Sequence, residues 1–167
     1  DTVVYEIGAD GTDTIGGFRF DGDNNRNGTL DGQGVDKIEF EGVSGANDTD
    51  KLNDLANNKI EKIVFDENGD QENQLSGDNT DSSGIAFRTV DVEIQFNNGG
   101  DSITSVDAVR WSNDGGSKEV DLGQIFQDGT LSGGDGDSIM NQGETIEVTG
   151  VSAADLGRFF GDGIDFA

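Results

Sequence analysis

The sequence predicts an all-β protein: a sandwich or roll of short strands joined by long Gly/Asp/Asn loops, with two short helices. Three observations predict it. Ile and Val together number 24 against 7 Leu, a bias toward side chains that pack well on pleated surfaces. There are 27 Gly, which suits a turn-rich chain. Apolar residues alternate with polar ones over short runs parted by Gly/Asn/Asp clusters, as in half-buried strands separated by turns.

Taken in order, Val3, Tyr5 and Ile7 alternate, followed by Phe18 and Phe20, then Ile38 and Phe40. Ile60, Ile63 and Phe65 form a less regular run. A second series comprises Ile85 with Phe87, the run Val90 to Phe96 with Val92, Ile94 and Phe96 on one face, Val106 to Trp111, Ile146 to Val148, and Ile164 with Phe166. Asn97-Asn98-Gly99-Gly100 supplies residues tolerant of positive φ, which predicts a hairpin connection. Thr49 is placed to cap one helix presenting Leu52, Leu55 and Ala56. Ser152, with Asp155 three residues on, predicts a capping box ahead of Leu156, Phe159 and Phe160.

An internal echo points to duplication within one domain spanning residues 1–167. Gly28-Thr29-Leu30 recurs as Gly129-Thr130-Leu131, and Ile38-Glu39-Phe40-Glu41-Gly42-Val43-Ser44 recurs as Ile146-Glu147-Val148-Thr149-Gly150-Val151-Ser152. These landmarks define repeat units 16–66 and 120–167, with extra acidic residues around Asp135 and Asp137 in the later copy.

Charge narrows the function classes. Against 35 Asp+Glu stand 10 Lys+Arg, a formal net charge of -25. Such a surface repels phosphates, which excludes non-specific nucleic-acid binding, and it cannot serve as a polybasic membrane anchor. Without Cys or His, the chain has no thiolate nucleophile, no zinc or iron-sulfur ligand set and no imidazole base. No apolar run is long enough to insert in a membrane. Opening on Asp1 rather than Met, the chain is expected to be a processed product or an excised fragment. Carboxylate pairs such as Asp66 with Asp70 are expected by chance in so acidic a chain, so no enzymatic activity is expected. Tyr5, Trp111 and the Phe residues are expected in the core rather than on a sugar-stacking surface.

What the chain holds in excess is oxygen, the donor set that Ca2+ takes six to eight at a time. Asp23-x-Asn25-x-Asn27-Gly28-x-Leu30-Asp31 carries oxygen side chains at alternate positions, Gly at the sixth and an aliphatic at the eighth. That is the spacing that wraps a loop around calcium. Gly34 stands where a bidentate Glu would close an EF-hand, so Asp21 or Asp36 is the candidate to complete the shell. Crowded carboxylates repel one another, and an ion bound only by the folded state would offset that repulsion. The competing explanation is halophilic acidity, with hydrated monovalent ions and no discrete site.

Gly8-Ala9-Asp10-Gly11-Thr12-Asp13-Thr14-Ile15-Gly16 resembles the GGxGxDxUx nonapeptide of the RTX (repeats-in-toxin) proteins, and Gly133-Gly134-Asp135-Gly136-Asp137-Ser138-Ile139 is similar in contracted form. The segments Asp36 to Val43 and Gly150 to Leu156 resemble those that flank RTX blocks. The resemblance implies Gly8 and Gly11 as turn residues, and Asp13, with Asp10 beside it, and Asp135 and Asp137 as calcium ligands. It also implies a bacterial protein placed outside the cell or on its surface by type I secretion. The tail Ile164-Asp165-Phe166-Ala167 is similar to the acidic-then-apolar endings of that class. Each nonapeptide stands alone here, whereas RTX rolls stack several.

The expected function is a secreted, calcium-stabilised structural or surface protein, a matrix, filament, surface-layer or adhesin subunit, that self-associates or attaches through its β-fold. Its partner would be another copy or a cell-surface glycan. The alternative is a calcium-dependent carbohydrate-binding module of a larger secreted enzyme.

Overall fold

The computed structural model describes residues 1–16, 36–67, 71–72, 87–112, 121–141 and 143–167. The predicted strands at Phe18, Phe20 and Ile85, and the first Gly-Thr-Leu copy, lie outside the described residues. Within them the fold is all-β, built as two sheets around a shared core.

The strands are β1 (Thr2–Glu6), β2 (Thr12–Gly16), β3 (Lys37–Glu41), β4 (Ile60–Asp66), β5 (Gln71–Glu72), β6 (Phe87–Phe96), β7 (Ser102–Ser112), β8 (Thr130–Gly133), β9 (Thr145–Thr149) and β10 (Ile164–Phe166). A three-stranded sheet runs β1-β3-β10, every pair parallel. The larger sheet runs β2-β7-β6-β4-β9-β8, with β5 alongside β6. Of its pairs, β2 with β7 is parallel and the rest are antiparallel.

The irregular spacing of Ile60, Ile63 and Phe65 has a geometric cause. The register of β4 against β6 slips between Ile60 and Lys62, so Glu61 is an extra residue in a bulge. Ile60, Ile63 and Phe65 consequently all reach the core despite the odd interval between the first two. The hairpin at Asn97-Asn98-Gly99-Gly100 forms as predicted and joins β6 to β7, closed by Phe96 N donating to Asp101 O at 3.0 Å.

Helix α1 (Asp48–Asp54) continues into a π-helical turn at Leu55–Lys59. Its cap is Asn47 rather than Thr49, because the Asn47 side chain accepts the Asp50 N–H at 2.9 Å. A four-residue helix α2 (Leu122–Ile125), unanticipated in the sequence, is capped by Asp121. Helix α3 (Ala153–Phe160) begins with the predicted capping box, Ser152 Oγ accepting from Asp155 N at 3.0 Å and Asp155 Oδ2 from Ser152 N at 3.1 Å.

Two strand–helix–strand passages cross between the sheets. The first leaves the small sheet on β3 and enters the large one on β4; the second leaves the large sheet on β9 and enters the small one on β10. The two copies of Gly-Val-Ser mark the corresponding corners, where Gly42 and Gly150 both adopt positive φ, 81° and 66°. The pairings they produce differ in sense, since β10 lies parallel to β3 while β9 lies antiparallel to β4.

Two aromatic groups fill the interior. Tyr5 stacks on Phe96 with centroids 5.4 Å apart and meets Phe40 edge-on, joining the small sheet to the large one. Phe65, Phe126, Phe159 and Phe160 form the second, with Phe65 and Phe159 edge-to-face at 5.2 Å. Edge-to-face contacts of this kind add about 0.5–1.5 kcal/mol each beyond burial.

Asp155 is fully buried. Burial pushes its carboxyl up, but the N–H groups of Ser152 and Asp128 and the Arg158 guanidinium together hold it below the usual carboxylate range. Its stabilising contribution is therefore complete above the ordinary carboxyl pKa and is lost as pH falls through the lowered folded value. Asp155→Ala removes the N3 half of the capping box, the acceptor of the Asp128 N–H and the nearest carboxylate of Arg158, which keeps Ile125 O and Asp128; chemical denaturation should report a loss of about 2–3 kcal/mol. Asp155→Asn should lose less.

Ser105 presents the opposite case, since its hydroxyl is buried with no hydrogen-bond partner among the described residues. Ser105→Ala should leave stability unchanged or raise it by up to about 1 kcal/mol, measured by the same denaturation.

Candidate metal-binding loops

The first acidic turn joins β1 to β2 and so links the two sheets. Gly8 and Gly11, implied as turn residues by the RTX resemblance, adopt φ of 97° and 76°. Ala9 N and Asp10 N both donate to Glu6 O at 3.1 Å, and Asp10 Oδ2 accepts the Glu6 N–H at 2.7 Å. Across the turn, Asp101 Oδ2 accepts the Gly8 N–H at 2.6 Å. The Tyr5 hydroxyl ties both segments together by donating to Gly11 O at 2.5 Å, with Ser102 O at 3.4 Å.

Three carboxylates converge electrostatically on that hydroxyl. Burial, then the negative charges of Asp101, Asp13 and Asp10, push the Tyr5 phenol up to about 12. Asp10 and Asp13 are sequence-predicted candidates. Asp101 is not, although it directly follows the predicted hairpin residues. Asp10 and Asp101 each use one carboxylate oxygen on backbone, and the Asp13 side chain makes no hydrogen bond among the described residues.

The second acidic loop joins β8 to β9. Asp135 Oδ1 accepts Asp137 N at 3.1 Å, and Asp137 Oδ1 accepts Ile139 N at 2.9 Å. Glu144 spans the loop, its two oxygens accepting Asp135 N at 3.0 Å and Asn141 N at 2.9 Å. The Asn141 side chain closes the ring onto Asp135 Oδ2 at 3.1 Å. Beneath it, fully buried Glu67 at the end of β4 accepts the Gly143 N–H. Neither Glu144 nor Glu67 was singled out in the sequence: Glu67 reaches Gly143 across 76 residues, and Glu144, though in the loop itself, stands outside the RTX-like run.

Asp36, the candidate to complete the Asp23 to Asp31 shell, accepts the Asp1 ammonium at 2.7 Å. Asp21, Asp23, Asn25, Asn27 and Asp31 lie outside the described residues. Among the described residues, no three acidic side chains close on one point as a preformed ion cage. The donors that are gathered are oxygens, the set a hard divalent cation takes. Among the described residues no helix is long and apolar enough to cross a membrane.

No protein-family model, curated protein or solved structure matches this chain.

Tyr5 is the only tyrosine, so its ionisation can be read directly from phenolate absorbance. Because its folded pKa lies above the unfolded value, the stability it contributes is full below pH 10 and is lost as pH rises toward 12. The absorbance midpoint should fall near 12 in the folded protein, and Asp101→Asn should lower it.

Proposed function

We propose that this chain is a calcium-stabilised structural or surface domain of a secreted bacterial protein, one that assembles or attaches through its β-fold. The observation that carries this reading is the β1–β2 turn. There backbone N–H groups hold Asp10 and Asp101 in place while leaving one oxygen on each without a hydrogen-bond partner among the described residues, and the charge of Asp13 acts on the same Tyr5 phenol. A carboxylate has about four lone-pair sites, so an ion bound through the remaining oxygens leaves the turn intact. The net charge of -25 supplies the driving force, since divalent ions held only by the folded state offset its self-repulsion.

The RTX resemblance of the same turn supports export and a calcium-rich setting. Scarce calcium inside the cell would leave the chain pliable for secretion. The described Phe side chains and Tyr5 are buried or half-buried in the core cluster, which favours a structural role over a sugar-stacking module.

Thermal unfolding tests the reading. Calcium at a hundredfold excess over its Kd should stabilise by roughly 2.7 kcal/mol, or about 5–10 °C for a domain of this size. Magnesium should do less, and molar NaCl with chelator should not reproduce the shift. Asp13→Asn with Asp101→Asn should abolish most of the calcium response. Equal stabilisation by NaCl would replace discrete sites with halophilic acidity.

A further inference from the structure

In the three-stranded sheet, β3 is bonded on both sides, and among the described residues β1 and β10 are each bonded on one. Lys37 N donates to Asp1 O and Ile7 N to Glu41 O, so the odd positions of β1 face β3. The N–H groups of Thr2, Val4 and Glu6 therefore point off the edge. At the other edge, Ala167 N donates to Phe40 O, which leaves the N–H groups of Ile164 and Phe166 pointing away.

An open edge is a template for another strand. Because all three strands are parallel, the β1 edge of one copy is the geometric continuation of the β10 edge of another. Such a contact is heterologous and does not close on itself, so it propagates as a filament. Val4, the large apolar side chain left exposed among the described residues, at 53%, sits on that edge.

Both edges are nevertheless occupied. Asp10 Oδ2 takes the outward Glu6 N–H at 2.7 Å, and Asp165 Oδ1 takes the outward Phe166 N–H at 3.0 Å. We propose that Asp10 and Asp165 are edge guards, each carboxylate holding a backbone donor that a second copy of this chain needs to extend the parallel sheet head to tail. Each guard blocks in two ways: it satisfies the donor locally, and it sets a negative charge where an equally acidic copy must approach. That the released edge serves assembly rests on the proposed function; the guarding does not.

Sedimentation of the 167-residue chain in chelator tests this, with circular dichroism confirming the fold of each variant. Wild type should be monomeric. Asp10→Ala with Asp165→Ala should form oligomers, association tightening by about fivefold to tenfold per freed donor. Adding Val4→Pro should return the double variant to monomer, because proline at an outward edge position is compatible with the chain's own sheet and gives a neighbour no N–H. Asp10→Asn with Asp165→Asn, whose amide oxygens still accept the N–H, should stay monomeric. A double alanine variant that remains monomeric overturns the proposal. So do oligomers that persist with Val4→Pro, or asparagine variants that associate as strongly as the alanine ones. Calcium-selective melting is read separately: its absence removes the proposed function and leaves the guards standing, and its presence with a monomeric double variant does the reverse.

Discussion

Ten lysines and arginines cannot neutralise thirty-five carboxylates, so the fold sets its negative charge against the dipoles of its own backbone. Asp10, Asp54, Asp101, Asp121, Asp135, Asp137, Asp155, Asp165, Glu67 and Glu144 each accept at least one backbone N–H. A hydrogen bond to a charged acceptor is worth about 1.5–3 kcal/mol, more than the typical exposed ion pair. For Asp54 the effect is visible in its titration: the Ser44 N–H, then the Asn58 amide, hold its carboxyl below the usual range. Turns and helix caps are thus the places where acidic side chains are least costly, which is why they gather there. The bonds fix each carboxylate without removing its charge, and the long-range repulsion of the whole body remains.

A sparse core withstands that repulsion because its large side chains sit where the sheets meet. Tyr5 reaches from the small sheet to stack on Phe96 of the large one, and its hydroxyl binds the β1–β2 turn to the start of β7. At the other end, Phe159 of α3 meets Phe65 of β4 and Phe126 after α2, and Phe160 stands edge-on to Phe159. The chain passes between the sheets at β1–β2, at β2–β3, at β3–α1–β4 and at β9–α3–β10, so separating the layers would pull on all four connections. Topology multiplies the effect of a few aromatic contacts.

What could be read in the sequence is local. Alternation placed Val3, Tyr5 and Ile7, Ile38 and Phe40, and Val90 to Phe96, and their buried faces follow the period of two. The Ser152 box was legible because both partners lie within one turn. Partner choice was not, since a period of two says nothing about which strand lies alongside. The parallel run of β1, β3 and β10 joins residues more than a hundred positions apart. Helix α2 has four residues and too short a pattern to register. The acidic sites divide in the same way. Asp10, Asp13, Asp135 and Asp137 were singled out through the RTX-like glycine spacing, while Asp101 and Glu67 enter across the fold and Glu144 joins from the same loop.

The two acidic loops are not equally ready for an ion, and the difference lies in how their lone pairs are spent. In the β8–β9 loop, Asp135 and Glu144 each use both oxygens, so ligation there competes with the hydrogen bonds that shape the loop. In the β1–β2 turn, among the described residues, Asp10 and Asp101 each commit one oxygen and the Asp13 carboxylate commits none. An ion held there would draw on charge that already raises the Tyr5 phenol, through the oxygens that Asp10 and Asp101 leave off the backbone. If calcium is taken there as proposed, it sits at the turn that closes the β1 edge, since Asp10 gives one oxygen to the Glu6 N–H and has the other to offer an ion.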